Sequence, residues 1–222
     1  MENASKALII AGGVLISLLV ISLLVLTFNG ISNYQKSLQS QEATEQAVDF
    51  NKNFEGYNRK TLYGSDIISI ANLVVDYNTQ EADEKDYQNI EVYVTISKSV
   101  GLSLPTGYSY SALEPSGSAV TAQDIYNDLS KLKKDVTEFG NKTSRINGKN
   151  YKYKELYSLS NTQFEEITGE MKGSGGTIAT QVQYYENLKN YETEFKRKIF
   201  GCINVEYDPN NGRITKMEFK DM

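Results

Sequence analysis

The N-terminal part of the chain carries an unbroken apolar run. Residues 7–28 read ALIIAGGVLISLLVISLLVLTF, which is 22 residues without a charged side chain. As an α-helix this run would be about 33 Å long, which matches the hydrocarbon core of a bilayer. The pattern therefore predicts a transmembrane helix, which together with a short polar tail occupies residues 1–30.

The end of this run does not have the features of a cleavable secretory signal. A signal sequence has a shorter apolar core followed by a small-x-small cleavage site. Here the run leaves through Thr27 and Phe28 into Asn29, Gly30 and Ile31. We therefore expect the helix to be retained as a signal anchor, with a single pass through the membrane.

Charges near the run are almost balanced and say little about orientation. Lys6 precedes the run, and Lys36 is the first positive residue after it. The composition decides our expectation: with 16 tyrosines, one cysteine and no histidine, the large domain suits a bacterial exterior. We expect the tail in the cytoplasm and the soluble domain outside, at the cell membrane.

Small residues recur four apart within the run. Ala7 and Ala11 form one pair, and Gly13 and Ser17 form another. Small side chains at this spacing let a second helix approach closely, so these four are candidate helix-packing positions. Self-association through the membrane segment is one interpretation. The other is that such residues are ordinary in spanning helices, and the sequence leaves both open.

Beyond the run, apolar residues continue at helical intervals with glutamine and glutamate between them, and no proline occurs before residue 105. This spacing is typical of an amphipathic helix. We expect the membrane helix to continue as an amphipathic extension over residues 31–56 and to end near Gly56. The apolar positions of this extension are Ile31, Tyr34, Leu38, Val48, Phe50 and Phe54.

Residues 57–222 combine helical and strand patterns. Ser65 is a plausible N-cap for the most apolar helix, which stops near Asn78 and belongs in the core. Residues 90–96, IEVYVTI, alternate as a strand does. Residues 101–118 are rich in Gly, Ser, Pro and Tyr, which predicts a long surface loop.

The second half of this domain carries clear start and turn signals. Thr121 and Asp124 predict a capping box that opens a helix ending at Gly140. Asn147 and Gly148 are the strongest short hairpin signal. Other segments predict a helix near 181–196 and a closing hairpin, 199–207 with 213–219, around the turn 208–212. The expected fold class is α+β with an antiparallel β-sheet.

Composition removes several classes of function. The chain has 28 acidic and 23 basic residues, a net charge of -5 and no long basic run, which argues against a nucleic-acid partner. The absence of histidine excludes histidine-based catalytic and zinc sites. Cys202 lies among apolar neighbours, where a lone thiol is more often a small core residue than a reactive group.

The remaining chemical motifs are weak. Ser130 and Lys133 match a serine-x-x-lysine pattern, but they lie in an amphipathic helix where we expect both to face solvent. The glycines of residues 169–176 lack the lysine and hydroxyl of a phosphate-binding loop, so we interpret them as a hinge. Carboxylate groups such as Asp83, Glu84 and Asp86 are typical of a solvated face. We expect no catalytic residue, metal or cofactor.

The order of a hydrophobic N-terminal helix, an amphipathic extension and a small domain ending in antiparallel strands resembles type IV pilins and pseudopilins. In that family the hydrophobic segment holds subunits in the membrane and then packs in a filament core. Lys6 and Ala7, before Leu8 and Ile9, are similar to the basic-small site at which such precursors are trimmed. Gly12 stands where the family has a glutamate, and the tail is also compatible with a plain signal anchor.

The sequence thus favours a non-enzymatic, pilin-like structural or assembly subunit of a surface filament or secretion apparatus. Its expected partners are the lipid bilayer and either its own copies or other envelope proteins. The alternative is a membrane-anchored extracellular module that binds a ligand or protein through the loop 101–118. In that case Tyr108 and Tyr110 are the expected contact residues.

Overall fold

The computed structural model describes residues 2–81, 83–84 and 88–222. These form two compact units. The first comprises Met1–Asn51 with Pro209–Arg213, and the second comprises Lys52–Asp208 with Ile214–Met222. The first unit is mainly one helix, and the second is an α+β domain, as the sequence predicts.

The four long helices of the described residues lie where the apolar spacing of the sequence predicts them. The long N-terminal helix ends at Glu55, beside the Gly56 expected to stop it. Two short helices and a 3-10 turn at Ser111–Leu113 were not predicted. The α-helices are α1 (Glu2–Glu55), α2 (Gly64–Thr79), α3 (Ala122–Asn141), α4 (Tyr153–Ser158), α5 (Asn161–Thr168) and α6 (Thr177–Arg197).

The described strands form a larger sheet in the order β1-β6-β7-β2-β3 and a separate hairpin of β4 and β5. The predicted strand over 90–96 and the closing hairpin are confirmed, whereas β1 and β3 were missed because each is only two or three residues long. The strands are β1 (Leu62–Tyr63), β2 (Glu91–Thr95), β3 (Ala119–Thr121), β4 (Thr143–Ile146), β5 (Lys149–Lys152), β6 (Ile199–Tyr207) and β7 (Ile214–Asp221).

The larger sheet is mixed, so the predicted antiparallel sheet is found in all of its pairs but one. Strand β2 runs parallel to β7, with Val92 opposite Met217 and Val94 opposite Phe219. The other pairs in this sheet are antiparallel. Alternation along a strand identifies its buried face, but it carries no information about the direction of a partner that is more than a hundred residues away.

The core of the second unit lies where α2, α3 and α6 meet one another and the sheet. Helix α2 buries six apolar side chains there: Ile67, Ile68, Ile70, Ala71, Val74 and Val75. This confirms the expectation that α2 is a core helix. A smaller apolar cluster, from β4, α4, α5 and the start of α6, includes Leu156 and Phe164, both fully buried.

The start of α2 differs from the prediction. The residue at the N-cap position is Tyr63 and the helix begins at Gly64, so Ser65 already lies inside the first turn. The carboxylate of Asp66 accepts the backbone N–H of Tyr63 at 2.9 Å. A carboxylate one turn in satisfies an otherwise unpaired N–H and suits the positive end of the helix dipole.

The start of α3 and the short hairpin confirm their local signals. Thr121 accepts the N–H of Asp124 at 3.2 Å, and the Asp124 carboxylate accepts the N–H of Thr121 at the same distance. In the β4–β5 hairpin, Asn147 and Gly148 have φ values of 48° and 80°. Both angles are positive, as the tight hairpin turn requires.

A buried carboxylate at the end of β7 contacts the segment after β2 and the residue after α6. The Asp221 side chain is 2% exposed and accepts the N–H of Ser97 at 2.7 Å and of Lys98 at 2.8 Å. Burial by itself raises the pKa of Asp221, but these backbone hydrogen bonds and the charge of Lys198 outweigh it and hold the pKa below its ordinary value.

We expect Asp221→Asn to lower the free energy of unfolding by about 2 kcal/mol at pH 7, because two charge-assisted hydrogen bonds are weakened. Because the folded pKa is lowered, the contribution of Asp221 is complete above its unfolded pKa of about 3.9 and is lost as the pH falls through the folded pKa. The check is urea unfolding at pH 7 and pH 3, where the gap between variant and parent should shrink. Asp76→Asn, at an exposed site on α2, should change little at either pH.

Candidate functional site: the exposed apolar helix

The most unusual feature of the described residues is the exposure of the apolar half of α1. Its most apolar window of 18 residues has a mean hydropathy of 2.9, and none of it is buried. Leu8 is 78% exposed and Leu26 is 74% exposed. By length and composition this helix is able to cross a membrane, although a signal sequence has the same properties. Apolar surface on this scale marks an interaction site.

Two of the three hydroxyl groups inside this apolar run, those of Ser17 and Thr27, are paired within the helix. Ser17 Oγ donates to the backbone oxygen of Gly13 at 2.8 Å, and Thr27 Oγ1 donates to that of Leu23 at 2.7 Å. A hydroxyl that reaches back one turn in this way needs no water. Such pairing is what a hydrocarbon environment demands of a polar side chain.

The predicted helix-packing positions lie on two different faces of α1. Ala7, Ala11, Gly13 and Ser17 are all exposed. At about 100° per residue, the pair Ala7/Ala11 and the pair Gly13/Ser17 point about 120° apart around the helix axis. They therefore do not form one continuous groove. Their role in packing stays a prediction.

The predicted processing site lies near the start of the same helix. Lys6 and Ala7 are exposed and helical, since α1 begins at Glu2. Trimming after Lys6 or Ala7 would remove only the first turns and would leave the apolar run intact. Processing stays a prediction as well.

The other end of the first unit is held by the tip of the β6–β7 hairpin. Asn51 Nδ2 donates to the backbone oxygen of Gly212 at 2.9 Å. The Arg213 guanidinium lies 4.4 Å from the centre of the Phe50 ring and is 3% exposed. The sequence predicts the turn 208–212 from its proline and glycine, but it contains no sign that this turn binds the end of α1.

The loop 101–118 is more firmly held than a surface loop. The Tyr110 ring is 1% exposed and its hydroxyl donates to Asp135 at 2.9 Å. The backbone N–H of Ala112 donates to Asp128 at 2.8 Å. Glu114 accepts a short hydrogen bond from the Tyr191 hydroxyl. The segment is a largely irregular surface loop, as predicted, but buried side chains and carboxylates tie part of it to α3 and α6.

This packing changes what the two loop tyrosines can do. Burial and the hydrogen bond to Asp135 raise the pKa of Tyr110, so its phenol stays protonated. The Tyr110 ring is therefore a structural group and is not accessible to a ligand in this conformation. Tyr108 is half-buried and accepts a hydrogen bond from Lys142 Nζ at 3.2 Å.

The glycine cluster forms a capping turn for α6. The Glu170 carboxylate accepts the N–H of Ala179 at 2.7 Å, and a Cβ at Gly176 would overlap that carboxylate. Gly173 and Gly175 have positive φ values of 78° each. Glu170 therefore occupies the place where a phosphate would bind a helix N-terminus. It also explains why α6 begins at Thr177, earlier than predicted.

The other chemical motifs do not come together as sites. Ser130 and Lys133 are both exposed on α3. Among the residues that the structure describes, no three His, Cys, Asp or Glu side chains form a group that could hold a metal; Asp86 lies outside them. Cys202 is half-buried, and burial raises the pKa of its thiol.

An open groove lies between α2 and α3 in the second unit. Its volume is about 690 Å³, and its walls include Tyr57, Leu73 and Tyr126. The mouth is wide and the walls mix apolar and amide groups, which fits a protein surface better than a small-molecule pocket. No signal in the sequence marked these residues, because they come from separate segments.

Comparison with known proteins gives no further guide to this site. No protein-family model, curated protein or solved structure matches the chain.

Proposed function

We propose that this protein is a non-enzymatic, single-pass membrane protein of the bacterial envelope, a pilin-like structural or assembly subunit whose α+β domain lies outside the cell. The observation that carries the proposal is the fully exposed apolar run of α1. An apolar helix of this length in water would drive aggregation, whereas a bilayer covers it completely.

Two further observations support the anchor. The paired hydroxyls of Ser17 and Thr27 suit a hydrocarbon environment. The hydrogen bond from Asn51 to Gly212 and the Arg213 guanidinium beside the Phe50 ring hold the far end of the helix within the first unit.

The test combines membrane fractionation with intact mass, N-terminal sequencing and protease treatment of whole cells. We expect the chain in the membrane fraction and its domain cleaved from outside. Trimming near Lys6 and Ala7 supports the pilin-like form of the proposal, and an intact Met1 supports a permanent anchor. A chain recovered in the soluble fraction, or a domain protected in intact cells, contradicts the proposal.

A second candidate is an anchored module that binds another envelope protein. The groove of about 690 Å³ between α2 and α3 favours it, because Tyr126 on its wall is 39% exposed. A photo-reactive side chain at Tyr126 should then yield one discrete adduct in intact cells. The same group at Tyr63, which is 56% exposed and outside the groove, serves as the control.

A further inference from the structure

The part of α1 beyond the apolar run exposes a second set of apolar side chains. Ile31 is 53% exposed, Tyr34 is 65% exposed and Leu38 is 39% exposed. They lie three and four residues apart, so they share one face of the helix. A bilayer that covers residues 7–28 ends before this face, and solvated surfaces rarely keep such a row uncovered.

This face continues without a break into the apolar run. Ser17, Val20 and Leu24 precede Ile31, Tyr34 and Leu38 in the same alternation of three and four residues, with Thr27 at the position between the two sets. We call the two sets of three, without Thr27, the α1 seam. Spacing of this kind, with an average of 3.5 residues, is the pattern by which two helices pack along their whole length. The seam is about 32 Å long.

The seam is not the face that α1 uses within its own chain. Near the end of the helix, Ala47 and Asn51 are buried, and Ala43 and Phe50 are half-buried. At about 100° per residue these positions point about 180° away from the row Ile31–Leu38. The contacts of the first unit therefore use one side of α1 and leave the seam on the other.

The charges around the seam suit an identical helix lying parallel to it. Gln35 and Ser37, which flank the seam, are uncharged, and Lys36 lies on the opposite side. If the spacing continued beyond Leu38, its next positions would be residues 41 and 45. Two copies would bring the negative charges of Glu45 together there, so the seam ends at Leu38. Copies anchored in one membrane also share their direction and depth, so each seam residue meets its own equivalent.

We infer that two copies of this chain associate in parallel and in register through the α1 seam, with part of the contact in the membrane and part outside it. The inference rests on the proposed membrane anchoring and adds the identity and geometry of the partner. Of the small-residue pairs, only Gly13/Ser17 lies on this face, where it brings the two backbones close together.

Disulfide cross-linking of the full-length protein in membranes tests the inference. In a Cys202→Ser background, Leu38→Cys places a thiol on the seam and Lys36→Cys places one on the opposite side at nearly the same height. Both sites are exposed, so neither change should disturb the fold. We expect Leu38→Cys to give at least about fivefold more cross-linked dimer, because only seam positions bring two Cβ atoms within disulfide distance.

A mixture of two variants distinguishes register from stagger. Ile31→Cys and Leu38→Cys lie on the same face about 10 Å apart along the axis. When the two are mixed and one carries a size tag, in-register packing gives like-with-like dimers. A dominant mixed dimer, or equal yields from Leu38→Cys and Lys36→Cys, would overturn the inference. Sedimentation of the same samples with membranes tests the anchor separately. A failure of membrane anchoring can therefore be distinguished from a failure of pairing through the seam.

Discussion

Arginine at both Leu18 and Leu19 is expected to release most of the chain from the membrane fraction. These residues lie at the centre of the apolar run and are 60% and 62% exposed. Each arginine at the centre of a spanning helix costs about 3 kcal/mol, so the pair costs about 6 kcal/mol. The apolar side chains of residues 7–28 together favour insertion by about the same amount. The net free energy of membrane insertion of the variant is therefore close to zero.

The measurement is the fraction of protein that stays with membranes after alkaline carbonate extraction. We expect it to fall from nearly all to about half or less, on that balance of insertion energies. The matched control is the pair Leu18→Ala and Leu19→Ala, which keeps the run uncharged and should stay in the membrane. Full retention of the arginine pair would mean that α1 is not held by a bilayer.

Alanine at Gly64 is expected to cause the largest loss of stability from a single methyl group in the α+β domain. A Cβ at Gly64 would overlap the carbonyl oxygen of Phe195 and lie 2.8 Å from its carbonyl carbon. Both neighbours are backbone atoms, which cannot rotate away. In addition, the Gly64 N–H donates to the Lys198 oxygen at 2.8 Å, so a shift that relieves the clash breaks this bond.

We expect Gly64→Ala to lower the free energy of unfolding by about 3 kcal/mol, at the upper end for an overpacked site. Urea unfolding of the full chain in detergent, followed by the near-ultraviolet signal of its tyrosines, measures this loss. Gly56→Ala is the matched control, because a Cβ there meets no atom within 4 Å. Equal midpoints for the two variants would show that the start of α2 is not packed against α6 in this way.

Most of the helices and the long strands could be predicted because their signals are local. Thr121 with Asp124 and Asn147 with Gly148 act within four residues of each other, and these elements occur where the sequence places them. The position of α2 in the core was predicted from its apolar composition. The short strands β1 and β3 could not be predicted, since two or three residues carry no period.

The candidate site divides in the same way. The apolar run and its small residues follow from the sequence, because hydrophobic length is a one-dimensional property. The attachment of Asn51 to Gly212 and the burial of Tyr110 do not, because each contact joins residues that are far apart in the chain. The Gly/Ser/Pro composition around Tyr110 predicts an exposed side chain, whereas the structure buries the ring and pairs its hydroxyl with Asp135.

For this protein, the sequence by itself determined an apolar helix of bilayer length, its helical continuation to Glu55, an α+β domain and the absence of histidine chemistry. Tertiary structure decided the parallel pairing of β2 with β7, the restraint of the loop 101–118, the capping role of Glu170 and the requirement for glycine at position 64. The physical reason is the separation along the chain of the residues that interact. Periodicity, capping and hydrophobic length act between neighbours in the chain, whereas strand direction, burial of a polar group and steric overlap depend on which distant segment arrives beside it.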